Sequence, residues 1–123
     1  MDHHLLLAYC TGRPGAEQGE TQHGHDEVRV GGEAFAVFGP EIGTVNLKCG
    51  RDADEAQWWR DAYPDDVLIA PYIGQYGWNT FSLSAEIDDA EFYRAVDVSY
   101  ADVVQREAAV DKATGEVSGE ATS

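Results

Sequence analysis

Apolar positions along the chain follow two rhythms. In 27–30 (EVRV), 33–38 (EAFAVF), 43–49 (GTVNLKC) and 78–84 (WNTFSLS), apolar residues alternate with small or polar ones, the period of a half-buried strand. Gly31–Gly32 supplies a two-residue turn between the first two segments, so they form a hairpin. Residues 67–73 (VLIAPYI) read as a further strand, bent or broken at Pro71. Three other segments carry the helical period. Residues 2–12 start at Asp2, a capping residue, and end at Gly12 with Pro14 beyond. Residues 52–63 carry Asp52 and Asp54 at the N-terminal end, with Pro64 past the last turn. Residues 88–105 place Phe92, Val96, Ser99 and Val103 on one face, as one helix or two. The Gly/Glu/His-rich stretch 15–26 is a short edge strand or a loop.

The order helix, three strands, helix, two strands, helix predicts an α+β domain. Hairpin connections make its sheet largely antiparallel, and helices on one face make it a two-layer α/β sandwich. Alternation then sorts side chains between the faces. Val28, Val30, Phe35, Val37, Val45, Leu47, Phe81 and Leu83 are expected under the helices. Arg29, Phe38, Asn46, Lys48, Trp78 and Thr80 are expected on the bare side. An indole beside cations and amides can stack on a flat ligand. The alternative for Trp78 is a small second core under the 64–77 loop.

Composition changes this picture mainly through charge. The 123 residues suffice for one domain, predicted over 1–106. Residues 107–123 have no large apolar residue except two valines and are expected to form a flexible acidic tail. Against 23 acids stand 8 Lys and Arg, a formal charge of −15. Such a field repels polyanions at long range; a generally acidic proteome or a high-salt cytoplasm explains it most simply, with a cation- or basic-partner-binding surface as the alternative. No apolar run approaches the ~20 residues of a membrane span. LLLAYC at 5–10 follows Asp2 and two histidines and reads as a helix face, not a signal peptide. A cytoplasmic protein without membrane contact is expected, and Cys10 and Cys49 are expected as reduced thiols, with a disulfide between them as the alternative.

Sequence signatures of hydrolases, zincins and nucleotide-binding loops do not occur. His23 and His25 with Asp26 and Glu27 form an incomplete metal set that His3 or His4 would have to complete. A polar loop explains them more simply, and no cofactor is expected. Asp88, Asp89 and Glu91 fit helix capping better than cation binding. Ser99 on a packed helix face reads as a small core residue bonded to its own preceding turn. Asp52 and Asp54 would raise the Cys49 pKa.

The segments AYCTGRPGAEQ (8–18), VGGEAFAVFG (30–39), VNLKC (45–49), WNTFSL (78–83) and DVSYADVV (97–104) resemble, in order and spacing, the MmcQ/YjbR family. The resemblance spans about residues 5–105. It implies a domain of the secretion-chaperone-like type, a DNA-binding label and no catalytic residues. Asn46, Lys48, Trp78, Asn79, Thr80, Ser99 and Tyr100 are the matching motif positions. The combined expectation is a non-enzymatic binding domain. Its ligand site would be Arg29, Asn46, Lys48, Trp78, Asn79 and Thr80, and its ligand weakly held, single-stranded nucleic acid. A protein-interaction module with a basic partner is the alternative reading, and metal binding the third.

Overall fold

The computed structural model describes the backbone of residues 1–39 and 43–114, and side chains within that set up to residue 106. Helix α1 (His3–Thr11) is followed by strands β1 (Ala16–Glu20), β2 (Asp26–Val30), β3 (Glu33–Phe38) and β4 (Thr44–Lys48). Helix α2 (Ala53–Ala62), strand β5 (Val67–Ile69), a 3-10 turn at Gly74–Tyr76, strand β6 (Trp78–Ser82) and helix α3 (Asp89–Thr114) complete the order. The six strands form one antiparallel sheet in the order β1-β2-β3-β4-β6-β5. The expected α+β two-layer architecture is the one observed.

Local chemistry explains the helix starts. The Asp2 carboxylate accepts the Leu5 N–H at 3.0 Å, and Asp52 accepts that of Glu55 at 3.0 Å, each filling an orphan donor of a first turn. Leu6 and Cys10 of α1, Ala56 and Trp59 of α2, and Phe92, Val96 and Val103 of α3 all bury into one core with Val28, Phe38, Val45, Leu47 and Phe81 of the sheet. Burial of each large side chain contributes roughly 1.5–3 kcal/mol. Two further ties fasten the helices to one another. The Tyr9 hydroxyl donates to Asp97 at 2.9 Å, and Arg94 lies over the rings of Trp58 and Trp59.

The structure resolves three readings that the sequence left open. The stretch 15–26 does contain a strand, β1, which raises the count before α2 to four. Its sequence AEQGE shows no alternation because an edge strand with a polar exterior needs none. Strand β5 stops at Ile69; the chain then turns through Pro71 and Tyr72. Helix α3 is continuous and its backbone runs to Thr114, so the segment expected as tail begins helical. Its Glu107-Ala108-Ala109 start is good helix former. Residues 115–123 lie outside the described residues.

Phe38 is not on the bare side. Val28 pairs with Ala36 and Arg29 with Ala34, which leaves Phe35 without an opposing residue. This bulge lets Phe35 and Ala36 both bury and moves the rest of β3 by one residue. Phe38 therefore turns inward, opposite Val45, with the His3 ring 4.5 Å from its own, and Val37 turns outward beside Asn46.

Pairing between β3 and β4 runs only from Phe38↔Val45 to Ala36↔Leu47. Beyond it the strands separate, and a side chain of α3 takes over. The Lys48 N–H donates to Ser99 Oγ at 2.9 Å, and that hydroxyl donates to the Phe35 carbonyl at 2.5 Å. Ser99 thus replaces a missing rung of the sheet and does not bond back along its own helix.

Both cysteines are buried and free. Burial pushes each thiol up to about 12, and burial outweighs the neighbouring charges, so the acids after Cys49 are not the main cause.

Two outcomes follow from these contacts. Ser99→Ala leaves a buried N–H and a buried carbonyl without their partner and lowers stability by about 1–3 kcal/mol, read as a lower urea midpoint at unchanged slope. Both thiols remain unreactive toward an aromatic disulfide reagent at pH 8 until urea unfolds the chain. Because their folded pKa lies above the unfolded value of about 8.5, their contribution is complete below that pH and is lost as pH rises toward 12. The urea midpoint should fall above pH 9, and less steeply in a Cys10→Ala, Cys49→Ala variant.

Candidate functional site

Separation of β3 from β4 opens a cleft of about 440 Å³ at that end of the sheet. Glu33 and Ala34 from the start of β3 form one wall, and Lys48 and Trp78, cross-strand neighbours on β4 and β6, form the other. Tyr76 and Arg51 close it from the loops, and Arg106 reaches it from α3. Three of the eight Lys and Arg residues of a strongly acidic chain thus meet two aromatic rings.

The backbone behind Trp78 is tightly held. Gly77 has φ of 92°, and a Cβ placed there would lie 2.1 Å from the Gly50 carbonyl oxygen. Only glycine satisfies both the left-handed conformation and that approach. The Cys49 N–H donates to the Gly77 carbonyl at 2.7 Å. The two loops flanking the cleft are joined backbone to backbone.

The three cations differ in freedom. The Lys48 ammonium is buried: it donates to the Gly50 carbonyl at 2.5 Å and sits 2.8 Å from Asp102 Oδ2. That oxygen is itself buried and receives no well-aligned hydrogen bond; Arg106 Nε is 3.7 Å away. Arg51 is the most exposed and is held by Glu55 through two side-chain hydrogen bonds of 2.9 and 2.6 Å. These bonds raise the guanidinium pKa and lower that of Glu55. Arg106 spans to Glu33 at 2.5 Å, with both side chains more than 40% exposed. Exposed pairs of this kind contribute little, so Arg51 and Arg106 can exchange their carboxylates for another anion. Lys48 cannot do so without unpairing Asp102.

The structure divides the expected site residues. Trp78 and Lys48 come together at the cleft. Asn46 and Thr80 do face the uncovered side, where the Thr80 hydroxyl donates to Asn46 Oδ1 at 2.5 Å, further along the same two strands. Two positions need correction. Asn79 is completely buried on the helix side, donating to the Ala56 carbonyl at 3.0 Å and accepting from Arg60 at 2.7 Å. Strict alternation with Trp78 and Phe81 requires that placement. Lys48 is outward by strand parity, but its ammonium turns back to α3 because the strands part beside it. Arg29 is exposed on β2, pairs with Glu27, and does not line the cleft. Sequence reasoning missed Tyr76, Arg51, Arg106 and Glu33; only Tyr76, two residues before Trp78, carried a local signal.

His3 Nε2 lies 3.0 Å from Asp26 Oδ2, while the His23 and His25 rings are 6.5 Å apart. Among the described residues no group of three or more His, Cys, Asp or Glu is arranged to hold a metal ion. Among them, too, no helix is long and apolar enough to cross a membrane.

A six-stranded antiparallel sheet with helices on one face and an aromatic, cationic cleft at one end defines a small α+β domain. The chain belongs to the YjbR family, whose model, described as YjbR, matches residues 11–102. Its fold is shared by Deinococcus radiodurans protein DR2400, a crystal structure carrying the family domain DUF419. The TM-score is 0.75 over 86% of this chain and 80% of that chain, at 16% identity. No curated protein sequence matches this chain.

The buried ion pair gives a direct test. Lys48→Met strands the Asp102 carboxylate and should destabilise by about 3–5 kcal/mol. Adding Asp102→Leu should recover most of that loss, measured as a double-mutant cycle in urea.

Proposed function

We propose that this YjbR domain is a non-enzymatic binding protein that seats one nucleotide of a single-stranded nucleic acid in the cleft at Trp78. The observation that carries the reading is the meeting of Trp78 and Tyr76 with Arg51 and Arg106 in one cleft of a chain with so few bases. About 440 Å³ is within the range of small-ligand sites and suits a base and its sugar. The base stacks on an aromatic face, an interaction worth about 1–3 kcal/mol. The phosphate takes the guanidinium groups of Arg51 and Arg106, which present forked donors to it. Lys48, fixed by Asp102 and Gly50, holds the wall in place and adds its charge at short range.

The overall charge sets the limits of this activity. A field of −15 opposes a long polyanion, and two available cations cannot track the backbone of a duplex. Binding is therefore weak, local and indifferent to sequence, as stacking on a π-face is.

A short deoxythymidine oligomer at low salt should quench the fluorescence that Trp78 contributes, obtained by subtracting the response of Trp78→Phe from that of the unaltered protein. With two phosphate-contacting residues, the slope of log affinity against log salt should be about −1.4. Arg51→Ala with Arg106→Ala should flatten it. Absence of any Trp78-dependent change at low salt rejects the reading.

A further inference from the structure

The edge of the sheet beyond β6 presents a different chemistry. Strand β5 is an edge strand of three residues. The Ala70 N–H bonds to Trp78 and the Ser82 N–H to Asp66, which assigns the even positions to pairing with β6. By antiparallel alternation the Ile69 N–H and the carbonyls of Val67 and Ile69 point away from the sheet. Around this edge stand Leu68, Ile69 and Tyr72, which are 58%, 51% and 95% exposed.

Tyr72 adds an independent sign. It has φ of 68°, the sole non-glycine in the left-handed region among the described residues. It centres a turn in which the Ile73 N–H reaches the Pro71 carbonyl at 2.7 Å, the strained sense of the γ-turn. Glycine would relieve the strain, yet the position carries a large ring that stands almost fully exposed. Backbone strain retained for an outward side chain points to a use outside the fold.

Charge selects the occupant. Asp61 lies near the end of the preceding helix and Asp65 and Asp66 immediately precede β5, while the nearest cation in sequence, Arg60, is engaged by Asn79, Gln57 and the Ala53 carbonyl. A second copy would bring the same acids against them. The segment 115–123 offers two glutamates and a single valine, the wrong chemistry for an acidic, apolar edge. From these observations we propose that β5 receives an extended segment of a partner protein in which basic and apolar residues alternate. The segment adds as a seventh strand, with its apolar side chains against Leu68 and Tyr72 and its basic ones toward the acids that flank the strand. Main-chain hydrogen bonds and alternate side-chain contacts are the usual basis of such strand addition. None of the side chains that line the cleft belongs to this edge, and the proposal does not rest on the nucleic-acid reading.

A fluorescein-labelled heptapeptide of alternating Lys and Val tests the proposal by fluorescence anisotropy at low salt. It should bind. The same peptide N-methylated at alternate amides should bind at least tenfold more weakly, and a Glu/Val version should not bind. Ile69→Pro removes the outward donor from an edge position that tolerates proline and should weaken binding at least fivefold. Tyr72→Gly, which relieves the turn, should also weaken it at least fivefold while leaving the oligonucleotide response of Trp78 unchanged. No binding of the Lys/Val peptide overturns the proposal. So does equal binding of its N-methylated form, which would mean charge attraction alone, or unchanged affinity in Tyr72→Gly. A dimer in sedimentation velocity that Ile69→Pro disperses would assign the edge to a second copy and overturn the partner-peptide reading.

Discussion

A single hydroxyl holds the place where this sheet would otherwise come apart. Where β3 and β4 diverge, a backbone donor and a backbone acceptor lose each other, and both are too deeply buried for water to replace the lost partner. Ser99 accepts from one and donates to the other. Neither a larger side chain nor an apolar one could stand there, since the position is fully buried and must satisfy two main-chain groups at once. The same contact fixes the height and rotation of α3 against the sheet. That in turn brings Asp102 under Lys48 and Arg106 across to Glu33. The cleft and its charges are consequences of the divergence that Ser99 makes tolerable.

A second irregularity, the bulge at Phe35, acts in concert with it. An extra residue in β3 allows Phe35 and Ala36 to bury in succession, and the strand beyond it resumes with its faces exchanged. The sheet thereby gains two large rings, Phe35 and Phe38, for the core, and presents Val37 outward, opposite Asn46 of β4. Local twist increases at a bulge, and the parting of β3 from β4 lies immediately beside it. The core and the cleft have a common origin in one additional residue.

Much of this was legible in the sequence and the rest was not, for identifiable reasons. Caps, terminators and period placed the first two helices and the start of the third within a residue or two, because those signals are local; the end of α3, with no terminator before Thr114, ran nine residues past its expected bound. The Gly31–Gly32 turn marked its hairpin in the same way. Alternation assigned Val45, Leu47, Phe81, Trp78 and Thr80 correctly where the strands are regular. It failed at Phe38 because a bulge inverts parity and leaves no trace in composition. Asn79 was misplaced for a different reason: it joined the expected site as a family motif position, although alternation put it inside, beside Phe81. A buried amide is stable only with partners, and those partners, Ala56 and Arg60, lie on a helix some twenty residues away. Strand β1 was ambiguous because a polar edge strand has nothing to alternate. Arg51, Arg106 and Glu33 could not have been grouped from the sequence, since only the tertiary path of α3 brings them together.

The contact of Gly77 with Gly50 has a consequence for how such a domain could diversify. Two main chains in van der Waals contact leave no slack, so the rim that bears Trp78 is a rigid frame and its spacing to Arg51 is not adjustable by drift in loop conformation. Novelty at this rim must come through exchange of the side chains it displays, much as a lock is re-keyed by changing pins and not by bending the barrel.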